Sequence, residues 1–423
     1  MLRTTAIFAV FLLAWPSSAA LTPEQRQLNI QSFEYVWTTI RDKHWQRQPG
    51  GLDWQKIHDE FRPKIEGADS MDAARAVLQE MIGSLHQTHF AIVPGDVYSH
   101  LDSARAGDTN TGIDIRVVGP QVLVTSVQSN SPAFTQGVRP GWQILKIADT
   151  DLAPVVAKLN ETYAGSSLRD LMLRRAIIGR LNAPVAVEFL DAEDKHVSKT
   201  LAASQPEGTR IDFGYLGPVR VWFHGSKLGD KDIGYVAFNF FLGAGLMNFL
   251  GGSVESCLKC QGFIIDLRGN PGGIGAMAMG MAGWFISQPD QKLGTLYMRD
   301  ATLNFVVNPR LKEFSGPLAI LVDGASASTS EIMAQGLKDL GRARIFGSHT
   351  AAAALPSVFE KLPNGDGFQY AIANYISEGG KPLEGVGVTP DVETPLIRQA
   401  LLDGKDPALD AAVAWIEGQK KAP

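Results

Sequence analysis

The chain has 423 residues, of which 45% are hydrophobic and 20% charged. At roughly 100–200 residues per domain this is material for two to four domains with a sizeable core, which excludes a peptide hormone, a single small module and a disordered polymer. Lys plus Arg number 39 against 44 Asp plus Glu, for a formal charge of −5, so no cationic excess is available to neutralise a phosphate backbone and nucleic acid is not an expected partner.

The first segment has one positive charge, Arg3, an apolar run over residues 6–15, then Pro16 and the small residues Ser18-Ala19-Ala20. This pattern reads as a secretory signal peptide over 1–20. The run is about half the ~20 residues that cross a bilayer, so the expectation is an exported chain, periplasmic or secreted from a bacterial envelope, with no stable membrane insertion after cleavage. Cys257 and Cys260 in ESCLKCQG are the two cysteines. Their CxxC spacing is open to a disulfide staple in an oxidising compartment, to two buried thiols, or to a redox pair.

From 21 to 105 the pattern is helical. Thr22-Pro23-Glu24-Gln25 offers an N-cap, a proline at the first helical position and a capping-box glutamine, followed by Ile30, Phe33, Trp37 and Ile40 at helical spacing. A second helix is expected from Asp53, with Trp54, Ile57 and Phe61 on one face, ending at Pro63. A third starts at about Asp72 and carries Val77, Leu78, Met81, Ile82 and Leu85. This small helical domain ends in the segment SLHQTHFAIVPG.

Over 106–203 the signals change to short strands and turns, with alternation in QVLVTSV and PVAVEFL. Between them, SNSPAFTQGVRPGWQILKI predicts a short helix from Ser131, a Pro140-Gly141 turn and a strand over 144–147. The SPAxxxGVxPGxxI stretch resembles the centre of a PDZ domain in permuted order. That resemblance implies a site that receives an extended peptide as an added strand and holds its carboxylate in a nest of backbone N–H groups, here at Gly112, Ile113 and Ile115. Asp114 would repel such a carboxylate unless it points away, and Trp142 stands where an acidic residue is usual. A spacer without peptide capture is the competing reading.

Over 204–423, after a linker at 204–207, apolar strands alternate with helical patterns: IGYVAFNF, GFIIDLRG, LAILVDG, ARIFG and FQYAIANY. Continuous runs such as FIID and LAILV read as strands covered on both faces, so a layered α/β core is expected. Within it, LAILVDGASASTSEIMAQGLKDLGRA predicts a buried strand, a small-residue turn and a helix. A serine at such a turn sits where free N–H groups and the positive dipole end can stabilise an oxyanion. The same Ser328 and Glu331 also form an SxxE capping box. FIIDLRG runs into Gly269-Asn270-Pro271-Gly272-Gly273, a second loop at the carboxyl end of a strand, where functional loops gather in parallel sheets.

DLRGNPGG, LVDGASASTSEI, GRARIFGSHT and PLEGVGVTPDV, in that order behind YVWTTIRDKHW, resemble the serine peptidase family of C-terminal processing proteases, tricorn-like proteases and interphotoreceptor retinoid-binding protein modules. The resemblance spans nearly the whole chain after the signal. It implies a ClpP/crotonase-like α/β layered core over 204–423, an N-terminal helical domain over 21–105 and an inserted PDZ-like β-rich domain over 106–203. It places the nucleophile at Ser328 rather than Ser326 or Ser330, and the oxyanion donors at the backbone N–H groups of Gly272 and Thr329.

The processing-protease branch activates its serine with a lysine, but Ala353 occupies that position within Thr350-Ala351-Ala352-Ala353-Ala354, and no lysine lies between Lys338 and Lys361. The tricorn-like branch uses a histidine beside a hydroxyl residue and a distant glutamate. Similarity to that branch implies His89 as general base, since an imidazole exchanges protons near neutrality, with Thr88 and Glu384 as orienting partners. His349 is a reserve base. His86 and His89 form an HxxH pair, but without further ligands of suitable spacing no metal is implied. The expectation is therefore a cofactor-free serine endopeptidase acting on protein or peptide substrates. The alternatives are an inactive relative that binds peptides or apolar ligands, which the alanine run favours, and a PDZ-centred scaffold.

Overall fold

The computed structural model describes residues 21–95, 110–181, 184–212, 218–229 and 232–419; the expected signal peptide, His100 and the boundary at 105/106 fall outside them. Thr22 Oγ1 accepts the Gln25 N–H (3.1 Å) while Gln25 Oε1 accepts the Thr22 N–H (2.9 Å), and the helix Pro23–Lys43 follows from this reciprocal cap. The next helix, Trp54–Glu66, does not end at Pro63 as expected. It runs one turn further because Ile65 is buried with Trp54 and Phe61. The third, Met71–Gly83, is capped by Ser70, whose side chain accepts the Ala73 N–H.

These three helices do not close on themselves. Phe33, Trp37, Leu78 and Met81 share one core with Leu355, Phe368 and Tyr370, and the strand Ala91–Val93 pairs with Gly367–Ala371, which pairs in turn with Ser357–Lys361. A late hairpin of the chain is thus the floor of the helical region. It also explains why FQYAIANY is two strands rather than one. The break falls at Ile372, whose N–H turns to Pro356 O (2.9 Å), and Ala373–Ser377 continues into a different sheet against Gln291–Met298.

Residues 110–204 form an inserted unit. Its neck is closed by Asn110 and Ser204, which exchange backbone hydrogen bonds of 3.0 and 2.9 Å. Strands Ile113–Val118, Gln121–Val127, Gln143–Ile147, Val185–Leu190 and His196–Leu201 make one antiparallel sheet with Ile113–Val118 at its edge. The helices Leu152–Thr162 and Arg169–Ile178, which the strand signals did not announce, fill its core through Val156, Leu173 and Ile177.

The central sheet runs Phe223–Lys227, Ile233–Phe238, Gly262–Asp266, Leu318–Val322, Ala343–Gly347 and Val392–Glu393. The first pair is antiparallel and the others are parallel. Helices Ala244–Glu255, Gly275–Ala282 and Thr329–Asp339 cover one face, and Pro407–Gln419 the other, which accounts for the unbroken apolar runs. Cys257 and Cys260 are disulfide-bonded beside this core. Among the described residues no helix is long and apolar enough to cross a membrane.

Candidate active site

Three neighbouring parallel strands, ending at Asp266, Val322 and Gly347, send their following loops to the same carboxyl edge, the edge at which open α/β sheets place ligands. The first two loops are bolted together. Asn270 is fully buried: Nδ2 donates to Phe238 O, while its carbonyl oxygen accepts the Ala327 N–H (3.0 Å) and the Ser330 hydroxyl (2.9 Å). Asp323 Oδ1 accepts the N–H groups of Gly269 (2.8 Å) and Ala325 (3.0 Å).

This scaffold separates the three serines. The hydroxyl of Ser326 donates to Leu267 O (2.8 Å) and that of Ser330 to Asn270 O, and both residues are fully buried. Ser328 alone is partly exposed. It sits at the strand-to-helix junction with φ 56° and ψ −119°, a region that L-residues rarely occupy and that presents a side chain at the apex of a sharp turn.

The third loop holds the second in place. Ser328 N–H donates to Ala353 O (2.8 Å) and to Glu331 Oε2 (2.9 Å). Glu331 is fully buried and also accepts the Thr350 hydroxyl and the N–H groups of Ala352 (2.9 Å) and Ala353 (3.0 Å). Burial pushes its carboxyl up to about 7 in spite of these four donors. The SxxE glutamate is thus more than a cap, because it ties the serine turn to the alanine run. Ala353, at the position where a lysine was sought, is buried against Leu171, Ala325, Ala327 and Ala351.

Thr88, His89 and Glu384 come together. Glu384 Oε1 accepts the Thr88 N–H (2.8 Å), and Oε2 accepts both the Thr88 hydroxyl (2.8 Å) and the Ala354 N–H (3.1 Å). Thr88 Oγ1 lies 2.7 Å from His89 Nδ1. An ionised carboxylate only accepts, so the single Thr88 proton goes to Glu384, and Nδ1 must then carry the imidazole proton. Nε2 is left with a free lone pair. Burial, aided by the Arg175 cation, pushes His89 down to about 4, and burial raises Glu384 above its ordinary value. Among the described residues no direct hydrogen bond joins Ser328 to His89. The two are linked through adjacent Ala353 and Ala354, which contact Ser328 and Glu384 respectively.

For the oxyanion, Thr329 N–H at the start of its helix has no hydrogen-bond partner among the described residues, and neither has Gly273 N–H. Gly272 N–H, the other expected donor, is engaged by Asn270 Oδ1 (2.9 Å). Gly272 still shapes this space: a Cβ there would lie 2.7 Å from Ser328 Cβ and 2.9 Å from Thr329 N. His349 turns its Nδ1 to Thr350 O (2.9 Å), and His86 is exposed.

The expected peptide nest is differently built. A Cβ on Gly112 would lie 2.2 Å from Ser131 Cβ, and Gly112 N–H donates to Asn110 Oδ1 (3.1 Å). Ile113 and Ile115 bury their side chains in the inserted unit, and Ile115 N–H donates to Asp114 Oδ1 (2.8 Å). Asp114 is neutralised by Arg174 (2.8 Å) and Arg116 (3.2 Å). Arg116 reaches on to Asp323 Oδ2 (2.5 Å), a contact between the inserted unit and the serine turn that sequence patterns gave no sign of.

Residues 232–394 match the model of peptidase family S41, and residues 28–83 that of the tricorn protease C1 domain. A carboxyl-terminal-processing protease of Synechocystis sp. is 25% identical over 408 residues, spanning 92% of this chain and 85% of the relative. The carboxy-terminal processing protease CtpA of Bacillus subtilis is 22% identical over 380 residues, spanning 86% and 72%. Among solved structures, the photosystem II D1 C-terminal processing protease shares the fold with TM-score 0.59 at 21% identity, covering 93% of this chain and 97% of its own. Mature CPAF does so with TM-score 0.64 at 13% identity, covering 94% and 99%. With the serine turn, its partner loop and the helical opening all falling inside the matched regions, the chain carries a peptidase family S41 domain and a tricorn C1 domain and is a serine-type peptidase.

Proposed function

We propose that this peptidase cleaves peptide bonds with Ser328 as nucleophile, His89 as general base and then general acid, and Thr88 with Glu384 as the groups that orient the imidazole. The observation that carries this reading is the chain Glu384 carboxylate, Thr88 hydroxyl, His89 Nδ1, with contacts of 2.8 and 2.7 Å, assembled beside a strained serine turn. His89 Nε2 takes the Ser328 proton as Oγ attacks the scissile carbonyl carbon. The oxyanion is received by the N–H of Thr329 and that of Gly273, since the Gly272 N–H is held by Asn270 Oδ1. The proton then passes from Nε2 to the leaving amine. A water molecule repeats the sequence on the acyl-enzyme, and Ser328 recovers its proton. Hydrogen bonds of this kind tighten when substrate fills the site, so a direct Ser328–His89 contact belongs to the loaded enzyme. A Ser-Lys dyad is disfavoured by Ala353, which is buried among apolar neighbours.

Fold-level expectations complete the proposal. The central sheet with its two helical layers is of ClpP/crotonase type, and the inserted unit is a PDZ-like module whose edge strand Ile113–Val118 receives substrate by strand addition. Export, directed by residues 1–20, is supported by the Cys257–Cys260 disulfide, a bond that persists in oxidising compartments. A serine-directed fluorophosphonate probe tests the chemistry. Labelling is expected in the wild type and lost in Ser328→Ala and His89→Ala, both still folded by circular dichroism. Labelling retained in Ser328→Ala would sink the assignment.

A further inference from the structure

His44 closes the helix Pro23–Lys43, its N–H donating to Ile40 O (3.1 Å), and the residue is 1% exposed. The proposed chemistry does not use this imidazole, yet both of its nitrogens are engaged. Nδ1 lies 3.0 Å from the Gln46 backbone nitrogen and Nε2 2.9 Å from Gln87 Oε1. A backbone N–H can only donate, so Nδ1 accepts, and the neutral ring carries its proton on Nε2, which donates to Gln87. Burial holds His44 below the ordinary imidazole value and so keeps it in this neutral form. The ring also stacks on Trp45, with centroids 3.9 Å apart, and lies nearly parallel to that of Phe90 at 6.0 Å.

His44 therefore meets both flanks of the Thr88-His89 pair, Gln87 through a hydrogen bond and Phe90 through its ring. That segment is a demanding one to hold. His86 and His89 have φ of 51° and 61°, conformations that non-glycine residues keep only where their surroundings impose them. Glu384 fixes Thr88, and His44 fixes the residue before it. The first helix gives His44 firm ground, since Phe33, Val36 and Ile40 are seated in the core that also takes Phe90. We infer that His44 is a positioning residue for the peptidase reaction: through Gln87 and Phe90 it sets where His89 Nε2 stands relative to the Ser328 hydroxyl. The inference rests on the proposed role of His89 as base and adds the group that aims it.

Steady-state cleavage of a fluorogenic peptide by the full-length protein tests this, with urea unfolding of each variant alongside. His44→Phe keeps a flat ring without either nitrogen. It is expected to lower kcat about 10- to 100-fold, the scale of a misplaced base, with KM changed by less than about twofold. His44→Gln still offers an N–H to Gln87 Oε1 and should turn over at least about threefold faster than His44→Phe. Gln87→Leu is expected to lose kcat as His44→Phe does, and the double variant should fall no further than the slower single one, because both substitutions remove the same bond. A histidine that serves packing alone would lower the urea midpoint and leave kcat unchanged. A kcat within about twofold of the wild type in folded His44→Phe, or losses that multiply in the double variant, overturns the inference. Should His44→Phe not fold, Gln87→Leu, at a half-buried position, decides by the same limit on kcat. His89→Ala keeps the two readings apart: wild-type turnover there removes the base assignment, whereas a dead His89→Ala beside an unaffected His44→Phe removes only the role of His44.

Discussion

Three non-glycine residues around the cleft hold left-handed backbone: Ser328 at φ 56°, His89 at φ 61° and Ala352 at φ 56°. Each such residue costs of order 1–3 kcal/mol. At Ser328 and His89 the conformation delivers the side chains proposed as nucleophile and base. At Ala352 the methyl group delivers nothing, and Ala352→Gly is expected to raise stability by about 0.5–1 kcal/mol with activity retained, as read from urea midpoints and peptide turnover. In the proposed mechanism His89 sets the pH behaviour. Its folded value of about 4 lies below the 6.5 of a free imidazole, so the ring remains a neutral base well into acid. The acid limb of kcat/KM, which belongs to the coupled His89 and Glu384 unit, should therefore fall below pH 6.5. The same shift makes the native state bind fewer protons than the unfolded chain between pH 4 and 6.5, so this group withdraws stability as pH falls through that window. A limb centred at or above 6.5 would contradict the placement of His89.

At the scale of elements, the loop that follows Gly347 is fastened to the serine turn by the Glu331 carboxylate together with the backbone bonds Ser328 N–H to Ala353 O and Ala351 N–H to Ser326 O. In Glu331→Gln any orientation of the amide sets an NH2 group against a backbone N–H, because both oxygens now accept from backbone donors. The expected cost is about 2–4 kcal/mol, with a larger loss of turnover as Ser328 is released from Ala353. Because the Glu331 carboxyl is raised from 4.5 to about 7, its contribution is fully present below 4.5 and declines as pH rises through 7. The glutamine variant lacks that slope, which melting curves from pH 4.5 to 8 would show in a His89→Gln background, where the histidine titration is absent. The serine turn and the NPGG loop were legible in sequence because glycine and small residues mark tight turns locally. The role of Glu331 was not, since SxxE reads as a helix cap until the loop carrying Thr350, Ala352 and Ala353 is brought to it. Pro63 and Ile372 misled for a related reason. One reads as a helix end and the other as mid-strand, and tertiary burial of Ile65 and the turn of Ile372 N–H to Pro356 overrode both.

Across the whole molecule, the proposed site draws on an N-terminal segment at His89, the core at Ser328 and a late loop at Glu384, with the inserted unit pressed on the same turn. No spacing rule pairs Arg116 with Asp323, yet Asp323, with Asn270, joins the NPGG loop to the serine turn, through Gly269 and Ala325. Arg116 holds the Asp323 carboxyl below its ordinary value against the opposing effect of burial. The inserted unit is thereby coupled to the geometry of the NPGG loop. In Arg116→Met the carboxylate loses its cation while staying enclosed, and a cost of about 2–3 kcal/mol is expected, between that of an exposed pair and that of a fully buried one. Adding Asp323→Asn to that background should cost much less than Asp323→Asn alone, because the carboxylate's strongest partner has already gone. Turnover should fall more than stability, since Gly269 and Ala325 would no longer be held in register for the nucleophile. Urea unfolding and peptide turnover of the two single variants and the double variant make the decision. Additive losses across that cycle would mean that the inserted unit sits on the serine turn without acting on it.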